Sequence, residues 1–423
     1  AVGAYAGLAI TTGLNNTAIG YEALKTNTTY NNNLAVGHQA LYTSNGGVWN
    51  TAVGAYRPLY LNTTGENNTA IGSSAIYSNT DGDWNVAVGN SALYNNTTGG
   101  SNTAIGYQAL NASTTVGGNT AVGRDALKLN TDGTQNVAVG MNALDANTTA
   151  SSNTAVGYAA LTANTTGASE TAVGRNALAS NTTGDKNTAV GDQALKSNTT
   201  ARDNVAVGES ALYTNTTGDD NVAIGRLSLT SNTTAANNTA VGSEALRYNT
   251  TGTSNTAVGK SALATNTTSA GNTAVGYNAG TVTTGAENVF LGAYTGEANT
   301  TGTYNTAVGA VTLATNTSGS NNVAIGRRAM DANTTGANNV AVGVKALYVN
   351  TTAANNTAIG DYTLGANTTG ASNTALGKHC LRQNTTGAKN IAIGDSALYA
   401  QTTGDGNVAI GYLTLDANNA DYN

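Results

Sequence analysis

Charge is what this sequence has least of. Charged residues make up 9% of 423 positions, where about 25% is usual for a soluble domain. There is one Pro, one Phe, one Cys and two His. A globular enzyme needs a large mixed core inside a charged shell, and the chain has material for neither. One cysteine excludes an internal disulfide. Without a cluster of His, Cys and acidic residues at ligand spacing, no metal site is expected, and no cofactor-binding motif is present. No run of Lys or Arg gives the footprint of a nucleic-acid binder, and the net charge is -6. No apolar stretch is long enough to span a bilayer as a helix, and no signal peptide is visible. Disorder is also disfavoured, because charge is low while Val, Ile and Thr are plentiful.

What the chain does have is repetition. A glycine closing a short apolar stretch falls at Gly3, Gly20, Gly37 and Gly54, then from Gly72 onward to Gly411, with a spacing of 17 residues. Two intervals differ: Gly54 to Gly72 is 18 residues and holds Pro58, and Gly276 to Gly292 is 16. The consensus is Asn-(Thr/Val)-Ala-(Val/Ile)-Gly-x-x-Ala-Leu-x-x-Asn-Thr-Thr-Gly-x-x, as in Asn153 to Ser169. Such a period is the signature of a stacked array. The β-branched residues alternate around Ala, which is a strand pattern. After a bend at glycine, the Ala-Leu pair (Ala160-Leu161) is expected to form a second short strand. The Asn-Thr-Thr-Gly stretch reads as turn. Gly, Asn, Thr and Val in this density leave no helical run. The expected fold is all-β: one array over residues 1–423, a parallel β-solenoid of about 24 coils with irregular ones near 54–72 and 276–292. At ~4.8 Å per parallel strand this predicts a rod roughly 115 Å long.

The columns carry further expectations. The Ala column, with Phe290 as its clear exception, implies close approach of another backbone. Thr/Val and Val/Ile project to one side of the strand and Ala and Gly to the other. One side can fill the coil's core, and the other then needs cover. That points to a homo-oligomer along the rod, a trimer most simply, with end-to-end stacking into a filament as an extension. The alternative is a bland Ala/Gly face exposed on a monomer. The Asn column before the strand, with Glu170 as a substitution, suits coil-to-coil amide ladders. The second Asn column opens the Asn-Thr-Thr turn and fits the N-x-[ST] acceptor pattern. It gives candidate glycan sites at Asn27, Asn62, Asn96, Asn147, Asn164, Asn181, Asn198, Asn215, Asn232, Asn249, Asn266, Asn299, Asn333, Asn350, Asn367 and Asn384.

Few residues suggest chemistry. Cys380 stands where other coils have Ala before Leu, and reads as a small core residue. His38 and His379 occupy variable, exposed positions. Asp81, Asp83, Asp219 and Asp220 are expected as solvated turn residues. Twenty Tyr residues scatter through variable and turn positions, including Tyr21, Tyr107, Tyr158 and Tyr277, where cross-coil stacking is the simplest role. No catalytic group is expected.

At Asn204-Val205-Ala206-Val207-Gly208-Glu209-Ser210-Ala211-Leu212 and Asn221-Val222-Ala223-Ile224-Gly225 the repeat resembles the head regions of trimeric autotransporter adhesins. It is similar, too, to the repeat shafts of phage tail fibres and related surface-fibre proteins. The resemblance covers essentially the whole chain, with the Asn-Thr-Thr-Gly turn added to the shorter adhesin repeat. It implies a left-handed β-roll in a homotrimer, outside the cell or on a virion, with an adhesive or spacer role. The chain opens mid-repeat at Ala1-Val2-Gly3, so it is expected to be a segment of a longer fibre whose other parts would meet a glycan or cell-surface receptor. Two other readings compete. An ice-binding solenoid would use in-register Thr, but the column of Thr17, Thr51 and Thr103 also holds Val86, Val137, Val205 and Ile391, a mixture better suited to a buried column. A glycan-binding β-helix of the tailspike kind would need clustered carboxylates or aromatics on one groove, and none is evident in the sequence.

Overall fold

A computed structural model describes residues 1–417 and 419–423. The chain divides into two compact units, Ala1–Thr217 and Gly218–Asn423. The first unit contains twelve strands, from Thr17–Ile19 to Val205–Val207, and the second twelve, from Val222–Ile224 to Val408–Ile410. Within each unit neighbouring strands pair in parallel, in register with the repeat: Thr154, Ala155 and Val156 lie beside Thr171, Ala172 and Val173, and Thr239, Ala240 and Val241 beside Thr256, Ala257 and Val258. The described residues contain no helix. The protein is a parallel β-solenoid.

Most strands are three residues long, and the glycine explains why they stop. Gly157 has φ +139°, and a Cβ there would lie 2.5 Å from the carbonyl oxygen of Gly174 in the next coil. Only glycine combines that dihedral with that approach. The anticipated second strand at Ala-Leu does not form. The segment is a turn, and Leu161 takes φ +54°. Its left-handed backbone breaks strand geometry. It does not break the ladder, since Leu161 N still donates to the Ala177 carbonyl at 3.0 Å. Leucine occupies this left-handed position in most coils, at φ 47 to 54° for Leu229, Leu347 and Leu161.

The interior of a coil is narrow and closed. Ala155, Ala160, Leu161, Asn153 and Asn164 are each 0% exposed. The strand Ala therefore faces inward, across from Leu of the same array. Thr154 and Val156 are half-exposed on the outer face; Ile105 and Ile224 in the Val156 column reach 39% and 40% exposure, and Ile391 in the Thr154 column reaches 41%. This corrects the sequence expectation, which put Val/Ile in the core and left Ala/Gly seeking cover. The small residue is inside because Leu, from the opposite wall, already fills the space. Val and Ile lie outside because they alternate with it.

The irregular coils show how the array absorbs change. In the 18-residue interval, Pro58 takes the buried Ala position, and Leu59 keeps the left-handed Leu position at φ 49°. The extra residue is taken up outside, where the pairing of Leu34–His38 with Thr51–Tyr56 shifts register after Val36. Phe290 replaces the strand Ala, and the Leu positions on either side of it are Gly280 and Gly296. A Cβ on Gly280 would lie 2.7 Å from Phe290 Cδ2, and one on Gly296 would run into the same ring. One phenyl ring thus fills the space of two absent leucines.

Candidate functional site

Asparagine is the polar machinery of each coil. In the column before the strand, Asn153 N donates to Asn136 Oδ1 at 3.0 Å, and Asn153 Nδ2 donates to the Gly167 carbonyl of the next coil at 2.9 Å. In the second column, Asn164 Nδ2 donates to Asn147 Oδ1 at 3.2 Å and to the carbonyl of Gly167 in its own turn at 2.8 Å. Both columns are therefore ladders. The amide suits them because it both donates and accepts, so it can satisfy a turn carbonyl and a neighbour together.

This geometry leaves the glycan candidates without an exposed amide. All the candidates, Asn27, Asn62, Asn96, Asn147, Asn164, Asn181, Asn198, Asn215, Asn232, Asn249, Asn266, Asn299, Asn333, Asn350, Asn367 and Asn384, are 0% exposed. A sugar on Nδ2 would have to occupy the coil interior in place of the ladder. The turn is on the surface, but its Asn points in. The exposed members are the second threonines, such as Thr166, Thr183 and Thr200, while the first, such as Thr165, donates its hydroxyl to the Thr182 carbonyl at 3.0 Å.

Where the second ladder loses its amide, polar atoms lose partners. Ser113 and Thr283 stand in this column, and their hydroxyl oxygens have no hydrogen-bond partner; nor have the Oδ1 atoms of Asn96 and Asn266, one coil before them. Glu170 interrupts the first ladder. It is 1% exposed. Its two oxygens accept from Asn187 Nδ2 at 3.0 Å and Asn187 N at 3.1 Å, which favours the carboxylate, but burial dominates and pushes the carboxyl up to about 9.

The residues singled out for chemistry stay apart. Cys380 is buried in the Ala column, and its thiol donates to the Ala392 carbonyl at 3.1 Å. Burial pushes that thiol up to about 11, so it is protonated and unreactive. His38 is half-buried between Tyr21 and Tyr56, with ring centroids at 5.2 and 5.5 Å. His379 packs edge-on to Tyr362 and Tyr399. The two imidazoles, one stacked and one edge-on, are thus half-covered, more enclosed than their variable positions suggested. Among the described residues no group of three or more His, Cys, Asp or Glu could hold a metal, and no helix is long and apolar enough to cross a membrane.

Tyrosines do stack across coils. Tyr42, Tyr60, Tyr77 and Tyr94 form a column with centroids 5.1, 5.2 and 5.0 Å apart. In the second unit the same column and its neighbour alternate rings with cations: Lys345, Tyr348, Tyr362, Arg382 and Tyr399. This gathering of aromatics corrects the expectation that none cluster. Its signal was present in the sequence as residues 17 apart in one repeat position. No protein-family model matches the sequence, and no curated protein does either.

Proposed function

We propose that the chain is a structural shaft of an extracellular or virion-borne fibre, a spacer without enzymatic activity, and that copies associate through the outward Thr/Val–Val/Ile face. The observation that carries this reading is the division of each coil. Its interior is closed by its own Ala, Leu and Asn, so stacking consumes the residues that could do chemistry. Its strand face is uncharged, in register and half-exposed. Monomers rarely leave an extended apolar face uncovered. In each unit that face is twelve strands long and mostly three residues wide. At ~4.8 Å between strands and ~3.3 Å per residue, two such faces together bury on the order of 1,000 Å², the threshold for a specific interface. A closed trimer is the simplest arrangement that matches the adhesin-like repeats.

The test is the solution mass by light scattering. Three times 42.1 kDa is expected for the native chain, falling to one chain when Val156→Lys and Val173→Lys place charge on the outer column. A native single-chain mass would refute association. A specific observation also favours a second reading. The threonine column, read from the sequence as better suited to burial, faces outward, which favours ice binding although the column still mixes Thr with Val and Ile. A freezing-point hysteresis of the purified single chain would establish that reading instead.

A further inference from the structure

The ring–cation ladder of the second unit has a gap. Tyr348, Gly365, Arg382 and Tyr399 occupy the same repeat position, directly after Leu or its equivalent, and Gly365 is the one glycine in that column. Its backbone does not require glycine, since it is absent from the left-handed residues, and other coils carry Tyr, Arg, Lys or Thr there. The missing side chain opens a surface notch of about 270 Å³ between Tyr348, Val349, Tyr362, Ala366, Arg382 and Gln383.

Arg382 lines this notch, and Lys345 lies behind its Tyr348 and Tyr362 walls. Lys345 Nζ lies 5.2 Å from the Tyr348 ring centroid and 4.9 Å from that of Tyr362, and donates to Tyr362 Oη at 2.8 Å. Arg382 Cζ lies 4.8 Å from the Tyr362 centroid and 5.9 Å from that of Tyr399. The nearby Arg328 is neutralised by Asp331 at 3.2 Å. Lys345 and Arg382 make no such pair among the described residues. In a chain of net charge -6, two cations held on aromatic faces without a carboxylate form a local anion site.

We propose that this notch binds one acidic sugar residue of a polysaccharide. The guanidinium of Arg382, with Lys345 behind it, takes the carboxylate or sulfate. Tyr348, Val349 and Ala366 receive the apolar face of the ring, and the Gln383 amide is available to a hydroxyl. The size fits. Pockets for drug-sized ligands run roughly 300–1,000 Å³, and this smaller, open notch suits a single unit of a longer chain. Single-stranded nucleic acid is less suited, because base stacking needs a bare aromatic face and both Tyr348 and Tyr362 already have two cations against their rings, whereas a sugar needs only edge and aliphatic contact. The site lies outside the stacking interactions and goes beyond the scaffold reading.

The experiment is calorimetric titration of the full chain with trigalacturonic acid, its trimethyl ester and a single-stranded oligonucleotide. Gly365→Tyr fills the notch with the residue that Tyr348 and Tyr399 already place in this column, so the coil keeps its fold; circular dichroism and thermal melting check that. The expected result is saturable one-to-one binding of the acid, at least tenfold weaker in Gly365→Tyr and in Arg382→Gln, and unchanged in Tyr77→Thr of the other unit. Absence of binding, equal binding of the ester, tighter binding of the oligonucleotide, or an unaffected folded Gly365→Tyr variant overturns the proposal.

Discussion

A single substituted residue shows how little tolerance the coil interior has. Glu170 occupies an asparagine position and is 1% exposed. Burial pushes its carboxyl up from 4.5 to about 9, with Asp185 and Asp203 adding repulsion against the hydrogen bonds from Asn187. Between those two values the folded chain keeps a proton that the unfolded chain releases. Stability therefore falls as pH rises through that window, by about 1.4 kcal/mol per unit and roughly 6 kcal/mol at the upper bound. Below the unfolded value the penalty vanishes. Glu170→Asn restores the amide ladder and removes the titrating group. Urea denaturation at pH 5 and pH 8 should show the native chain weaker at the higher pH and the variant nearly level. Parallel pH trends in both proteins would assign the effect elsewhere. The importance of this column was legible in the sequence, because Asn recurs there. Its ladder role was read as well; what was not legible was the second column, where a turn asparagine is usually exposed and only closure of the coil shows that the side chain points in.

At the scale of one coil, volume is conserved between columns and not within each. Phe290 is 0% exposed and fills the place of leucines missing at 280 and 296. Phe290→Ala alone leaves a cavity and should cost about 3–5 kcal/mol. Gly280→Leu or Gly296→Leu alone overpacks against the ring. The triple change restores the consensus, and its leucines meet backbones of φ 58° and 59°, close to those other leucines accept. Its stability should return to within about 1 kcal/mol of the native chain, a strongly non-additive result. A triple variant no better than the sum of its parts would break the compensation argument. The strand and its closing glycine were readable from alternation and spacing. The Ala-Leu turn was not, because leucine carries no preference for the left-handed backbone that stacking imposes on it. The inside–outside assignment was missed for the same reason: apolar residues on both strand faces left the alternation ambiguous until Leu was placed opposite Ala.

At the scale of a whole unit, a solenoid's stability is a sum of coil and nearest-neighbour terms, so register matters more than length. Excising Asn119 to Gln135 removes one 17-residue period. It brings Asn102 beneath Asn136 and Ala104 beneath Ala138, the same pairings that Asn119 and Ala121 made. The shortened chain should keep its β signal per residue and its protease resistance. Deleting Ala121 alone removes one residue and shifts the rest of that strand. A one-residue slip exchanges the two faces of a strand, so Val122 would enter the interior where its neighbours place Ala. The native 16- and 18-residue intervals survive because neither changes the three-residue Thr/Val-Ala-Val/Ile register: the longer one shifts pairing only after Val36 and Val53, beyond the inward Ala, and the shorter one still pairs Ala274 with Phe290. The smaller deletion should therefore be the more damaging, visible as a new cleavage site near residues 119–125 under limited proteolysis. Equal resistance in the two variants would mean that contacts other than the inward Ala and the Asn ladders set the register.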